Sequence, residues 1–340
     1  MPVPAPSAPE PDSNLRDALN RALRTLDRVK ASKEELVRAV YQAAADGIAG
    51  LSIPPVPPAP KDHRKNSETA VAVLADWQLA KVTETYSTAV CEKRVQEYAD
   101  RVLRLTEIQR ADHPVKELRV YLLGDLLEGE LIFPGQSHRI DASLYRQAVV
   151  DGPRILSNFL RRMLSSFERV HVVGVIGNHG SLGGHSRRDY HPESNADAML
   201  YEVTRQLMAG EERLTWAPNS IPGERRWYAV DRIGKKAFFL FHGDQIQGGF
   251  AGFPWYGFGR KIMGWRMGGV PEPFDYSLSG HFHTPVRFLV GGITHWGSGS
   301  PESSNTYAAE MLAAQGTPTQ WLLFVHPEHG VTGEYLVHLT

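Results

Sequence analysis

The sequence predicts an α/β layered fold in which a second sheet stacks on the first. Three observations predict it. From Thr69 onward, apolar strand-like runs alternate with amphipathic helical patterns. After Trp216 helical patterns thin out and short strands follow one another. Several of the runs also end in residue types that ligate metals, and the tips of strands in open α/β sheets are where ligands bind.

Composition sets the outer bounds. The chain has 340 residues, 42% hydrophobic and 22% charged, enough for one large core or two smaller ones. A formal net charge of −1 excludes a globally basic nucleic-acid footprint, though not a local one. Cys91 is the one cysteine, which excludes an intrachain disulfide framework and a thiolate metal cluster and fits a reducing, cytoplasmic compartment. The N-terminal MPVPAPSAPEPDS lacks the basic and apolar regions of a secretory signal. No apolar run is long enough to span a membrane, so no membrane partner is expected.

In chain order, residues 1–13 are rich in proline, alanine and serine and are expected to be disordered. Residues 14–50 predict a helical hairpin. Leu15, Leu19, Leu23 and Leu26 recur on one side of the first helix, and Ser32-Lys33-Glu34-Glu35 is a capping-box pattern for the second. Two short helices bury little alone. The hairpin is either a solvated appendage or an arm for homo-oligomerisation or partner docking. The prolines within residues 51–68 predict a semi-rigid linker, and residues 69–340 form the remaining domain.

Within that domain, strands are expected at 71–75, 119–123 and 170–176, and helices at 90–108 and 193–208. Residues 144–167 read as one long helix or two short ones interrupted at Gly152-Pro153. Past Trp216, strands are expected at 227–230, 237–241, 277–280, 286–290, 320–325 and 334–339, all assigned to the second sheet.

The chemistry sits at strand ends. Asp76 and Gln78 are two apart, as are His281 and His283; in extended chain, i and i+2 project to one side. Gly124 permits a sharp turn that delivers Asp125. Asn178 and His179 lie between Gly177 and Gly180, and His242 precedes Gly243-Asp244. Singly these are weak signals: a strand histidine such as His171 is more often structural. The ordered set D-x-Q, GD-x-x-E, GNH, HGD and GH-x-H, each ending an apolar run, is much more specific.

That set resembles the calcineurin-like metallophosphoesterase superfamily, over roughly residue 69 to the C-terminus. The resemblance implies a four-layer α/β/β/α sandwich. It implies that Asp76, Gln78 and His283 hold one divalent ion, that Asn178, His242 and His281 hold a second, and that Asp125 bridges them. It implies phosphodiester hydrolysis in which a metal-bridging hydroxide attacks phosphorus and His179 acts as general acid. Gln78 replaces a common histidine, which favours manganese, with magnesium, zinc or iron as alternatives. Gly180 stands where an acid often follows GNH; Asp189, His185 or the hydrogen bonds of Asp125 are the substitutes, and Glu128 is expected to orient a ligand.

Four segments rim the expected cleft. They supply Arg187, Arg188, Arg225, Arg226, Trp255, Tyr256, Arg260 and Lys261 as candidate substrate contacts. Aromatic side chains interleaved with cations suit single-stranded nucleic acid; packing of an irregular lid is the plainer explanation. The turn around Ser298 to Tyr307 is assigned no chemistry. The D-x-Q and GNHG variants resemble phage-encoded members near the SbcD-type DNA exonucleases, implying a DNA nuclease in the bacterial or host cytoplasm. An ATPase partner, usual for that type, is left open because the chain ends soon after the sandwich. The alternatives are a small-substrate phosphatase or cyclic-nucleotide phosphodiesterase, and a non-catalytic binding module on the same fold.

Overall fold

The computed structural model describes Glu35, Arg38, Ala39, Tyr41, Gln42, Ala45 and Asp46, and then residues 54–133, 135–182, 192–220, 226–247, 253–303 and 317–340. The expected disordered tail and most of the expected hairpin lie outside the described residues; the seven described between 35 and 46 are helical.

Two mixed sheets pack face to face. The first runs β11-β10-β1-β2-β3-β4, from β1 (Glu68–Leu74), β2 (Val115–Leu122), β3 (Arg169–Gly174), β4 (Leu214–Trp216), β10 (Thr319–His326) and β11 (Gly330–His338). The second runs β5-β6-β7-β9-β8, from β5 (Tyr228–Ile233), β6 (Lys236–Phe241), β7 (Tyr276–Ser279), β8 (Val286–Val290) and β9 (Ile293–Gly297). Pairing is parallel from β1 through β4 and from β6 through β7 to β9, and antiparallel elsewhere.

Side-chain alternation explains the layers. Every residue of β1 is buried, as expected of a strand covered on both faces. Ala70, Ala72 and Leu74 face the helical side, where they meet Tyr98 and Val102 of α1 (Thr88–Arg110), Leu156 and Leu160 of α2 (Gly152–Leu164) and Leu200 of α3 (Ala196–Leu207). Val71 and Val73 face the other way, with Tyr121, against Phe238 and Leu240 of the second sheet. Phe239 and Phe241 leave that sheet on its far face and pack on Phe258, Ile262 and Trp265 at α4 (Trp255–Gly264). The result is helices, sheet, sheet, helix: the four layers expected.

Three expectations are corrected. The strands at 320–325 and 334–339 join the first sheet rather than the second, because β10 pairs antiparallel with the open edge of β1 and is buried on both faces. The aromatic-rich segment 247–276, which carries Trp255, Tyr256, Arg260 and Lys261 and for which an irregular lid was the plainer explanation, contains α4. Its glycines cost about 1 kcal/mol each in a helix, but Phe258, Ile262 and Trp265 bury one face and outweigh them. Residues 146–164 form a π-helical stretch, Arg146–Asp151, continuing into α2; Gly152-Pro153 does not interrupt it, and the change from π to α register falls beside the proline, which has no N–H to donate. The short β4 was not expected as a separate element. No helix among the described residues is long and apolar enough to cross a membrane.

Candidate metal centre

The C-terminal ends of β1, β2, β3, β6 and β7 meet at one edge of the sandwich. Each strand stops just before its ligand-type residue. Asp76, Gln78, Asp125, His281 and His283 then take φ values of 53°, 47°, 52°, 74° and 51°. These are left-handed conformations that non-glycine residues seldom adopt and that cluster at functional sites. The expectation that the D-x-Q and H-x-H pairs project together from extended chain is therefore corrected: left-handed turns beyond the strand ends aim them. Gly124 and Gly177 let two tips touch backbone to backbone, for a Cβ at Gly124 would stand 2.7 Å from Gly177 Cα.

The seven expected ligands form one connected group. Asp125 Oδ2 is 3.0 Å from His242 Nε2 and 3.5 Å from Gln78 Nε2, so it faces both halves. His242 Nε2 is 3.1 Å from Asn178 Oδ1 and 3.2 Å from His281 Nδ1. His283 Nε2 is 3.4 Å from Gln78 Nε2 and 3.7 Å from Asp76 Oδ1. Asp76 also accepts the His281 backbone N–H at 2.9 Å. His242 donates from Nδ1 to the Leu123 carbonyl at 2.8 Å, which fixes the tautomer and turns a bare Nε2 inward.

Asp125, His242 and His281 form a cluster able to hold a metal ion. The wider set fits divalent cations as well. Asp76 is 0% exposed and Asp125 1%, and among the described residues no lysine or arginine pairs with either. Burial pushes the Asp76 carboxyl up to about 6, against the pull of His283 and His242. Burial also opposes the charge of Asp125, yet His242 and then His179 hold its carboxyl well below the usual range. Gln78 Oε1 is buried and has no hydrogen-bond partner among the described residues. Exchanging the amide O and N by a flip would turn that oxygen toward His283 and Asp125, where a cation would satisfy it.

His179 stands beside this group. Its backbone N–H donates to Asp125 Oδ1 at 2.8 Å, and its Nδ1 is 3.0 Å from the Glu128 carbonyl and 3.3 Å from Glu128 Oε2. Burial would lower its pKa, but Asp125 and then Glu128 lift it to about 9. Glu128 is thus the acid beside the His179 ring; His185 and Asp189 lie outside the described residues. Phe133, half-exposed, sets its ring edge to His179 at 5.3 Å.

Of the candidate substrate contacts, Trp255 and Tyr256 are 50% and 83% exposed on the first turn of α4. Trp255 packs on Phe253, and Phe253 on Phe282, the residue between His281 and His283. Arg260 is exposed on the same helix, and Lys261 Nζ lies 5.9 Å over the Trp265 ring. Arg226 is engaged by Glu272 at 3.4 Å. Arg187, Arg188 and Arg225 lie outside the described residues. His171 contacts Thr215 on the first sheet, away from the ligand tips.

Sequence reasoning missed two acids. Asp197 at the start of α3 accepts the backbone N–H groups of Asp125, Leu126 and Gly177 at 2.9–3.0 Å, tying together the tips that carry Asp125 and Asn178. Burial and then the charge of Asp125 push its carboxyl up to about 6. Its sequence signal was only that of a helix start. Glu302, in the turn assigned no chemistry, reaches His283.

No protein-family model and no curated protein matches the chain. Among solved structures it is similar to Vps29 of Entamoeba histolytica complexed with Zn2+, at 14% identity over 80% of this chain and 99% of that one, with a TM-score of 0.35. It is also similar to an archaeal phosphodiesterase, at 11% identity over 79% and 99%, TM-score 0.34. A third is a predicted phosphoesterase from Streptococcus pneumoniae, at 12% identity over 80% and 99%, TM-score 0.30. Likenesses this distant assign neither family nor activity, and the reading of the site rests on its own residues.

Proposed function

We propose that the chain is a two-metal phosphodiester hydrolase acting on nucleic acid, a DNA nuclease. The observation that carries this reading is the gathering of seven donors from five strand tips into one buried group beside an exposed aromatic helix. Two bound divalent ions, manganese by the oxygen-rich donor set, would supply Lewis acidity toward phosphoryl oxygens and a water acidic enough to ionise near neutral pH.

The chain's own residues do the rest. Asp76, Gln78 and His283 make one half of the centre, Asn178, His242 and His281 the other, and Asp125 faces both. Two carboxylates against two divalent charges leave a positive site for a phosphodiester. Glu128 fixes the His179 ring through Nδ1, which leaves Nε2 as the atom to pass a proton to the leaving oxygen. Trp255 and Tyr256 offer faces on which unpaired bases stack, with Arg260 one turn on for backbone phosphate. Phe253 and Phe282 link that platform to the ligand loop, so strand and centre are held in register.

A manganese-supplemented cleavage panel tests the reading, with an Asp125→Asn control. It compares single-stranded DNA, duplex DNA, RNA, bis-p-nitrophenyl phosphate and p-nitrophenyl phosphate. Oligonucleotide cleavage that vanishes in the control is expected. Activity confined to the monoester would replace the nuclease with a phosphatase. Bound metal without turnover on any substrate would leave a binding module.

A further inference from the structure

We propose that the Lys81–Glu302 ion pair positions one half of the metal centre, the half made by Asp76, Gln78 and His283. The inference rests on the metal-centre reading and goes beyond it, since neither residue belongs to the ligand set.

The pair is built into the protein. Glu302 is 5% exposed, with Oε1 2.6 Å from Lys81 Nζ and Oε2 3.1 Å from His283 Nδ1. Its backbone N–H donates to Ser300 Oγ at 2.9 Å, and the Ser300 hydroxyl donates to the Asp76 carbonyl at 2.6 Å. On the other side, the Lys81 backbone N–H donates to the Gln78 carbonyl at 2.9 Å and closes the turn that carries Gln78. All three ligands of this half are thus tied to the pair: His283 directly, Gln78 through its turn and Asp76 through Ser300.

The chemistry of an imidazole ligand explains the acid. A carboxylate that accepts a hydrogen bond from Nδ1–H holds the ring in one tautomer, leaves Nε2 bare for a cation and strengthens it as a donor. His242, in the other half, has only the neutral Leu123 carbonyl behind it. The charged acceptor backs the half with a single imidazole, His283, where the other half has two, His242 and His281. Lys81 makes this affordable, because a carboxylate this buried is costly unless a cation stays beside it.

The pair is tested on the full chain, stripped of metal, by calorimetric titration with Mn2+ and by Mn2+ electron paramagnetic resonance, without turnover. Wild type is expected to take two ions. Glu302→Gln, which keeps the size and removes the charge, is expected to take one ion with wild-type affinity and the second about 10–100-fold more weakly. Glu302→Asp keeps the charge but withdraws it by one methylene. It is expected to fall between the two, and it carries the test if Glu302→Gln does not fold. Two ions bound to Glu302→Gln with unchanged affinity overturn the proposal; so does an equal loss of both, the result of a merely structural role. Wild type that binds no ion refutes the metal-centre reading itself and this inference with it.

Discussion

One methyl group at Gly177 is expected to disorganise the centre. A Cβ there would stand 2.6 Å from Asp125 Cγ and closer still to Asp125 Oδ1 and the Asp125 backbone nitrogen. All three atoms belong to one residue, 1% exposed, so no loose side-chain end can give way. The backbone of Gly177 is not left-handed, so alanine adds no strain of its own and the effect is contact alone. Carbon atoms in ordinary contact sit about 3.5–4.0 Å apart, so Asp125 must retreat by about 1 Å. Three hydrogen bonds cross that gap: His179 N–H to Asp125 at 2.8 Å, and the N–H groups of Gly177 and Asp125 to Asp197, each at 2.9 Å. Overpacking costs about 1–3 kcal/mol, and a weakened hydrogen bond adds about 1 kcal/mol. The metal-free chain should therefore lose about 2–4 kcal/mol of stability, and displacement of Asp125 should cut cleavage about 100-fold. Thermal unfolding, Mn2+ titration and oligonucleotide cleavage check this. The control is Gly210→Ala, where a Cβ meets nothing within 4 Å. The reasoning is refuted if Gly177→Ala stays within about 0.5 kcal/mol of that control, the scatter of ordinary surface substitutions, and keeps its activity.

Further outcomes follow from other contacts. His179→Asn should slow cleavage of DNA about 10²–10⁴-fold but spare bis-p-nitrophenyl phosphate, whose leaving group needs no proton; equal losses would remove His179 as general acid. Trp255→Ala should weaken oligonucleotide binding by about 1–3 kcal/mol per lost stack and leave small-substrate turnover unchanged, as fluorescence anisotropy and kinetics would show. His295 is buried among Phe258, Phe288 and Ser277, and burial pushes its pKa down to about 3. Between about 3 and its ordinary 6.5 the unfolded chain holds a proton that the native chain lacks, so stability falls as pH drops through that window. At about 1.4 kcal/mol per pH unit, pH 5 should cost roughly 2 kcal/mol relative to pH 7. Denaturant titrations of His295→Gln should show a flatter slope between those values; an unchanged slope would assign the dependence elsewhere.

The parts of the fold legible in the sequence were those with local causes. The runs at β1, β2, β3 and β6 are apolar because both their faces are covered, and each ends in a ligand type that local spacing displays. The sheet to which β10 belongs was not legible, because its partner β1 lies more than two hundred residues away. Nor was α4, whose glycines speak against a helix until the aromatic face of the second sheet is present. The site divides in the same way. Ligand identity is local; ligand aim is not. Glu128 meets His179, Glu302 meets His283 and Asp197 meets Asp125 only after folding.

That division has an energetic consequence. Five of the seven proposed ligands sit in left-handed backbone, a conformation costing on the order of 1–3 kcal/mol each when it is strained. Their tips are held by one another: His281 N–H on Asp76, His179 N–H on Asp125, Asp125 N–H on Asp197. No tip keeps its shape alone, so loss of one contact loosens its neighbours. The energies of substitutions at Asp76, Asp125 and Asp197 should then combine non-additively, as expected for residues sharing one network. Cations that bring Asp76 and Asp125 into balance would also offset the strain, so metal binding and ordering of the tips should proceed as one event.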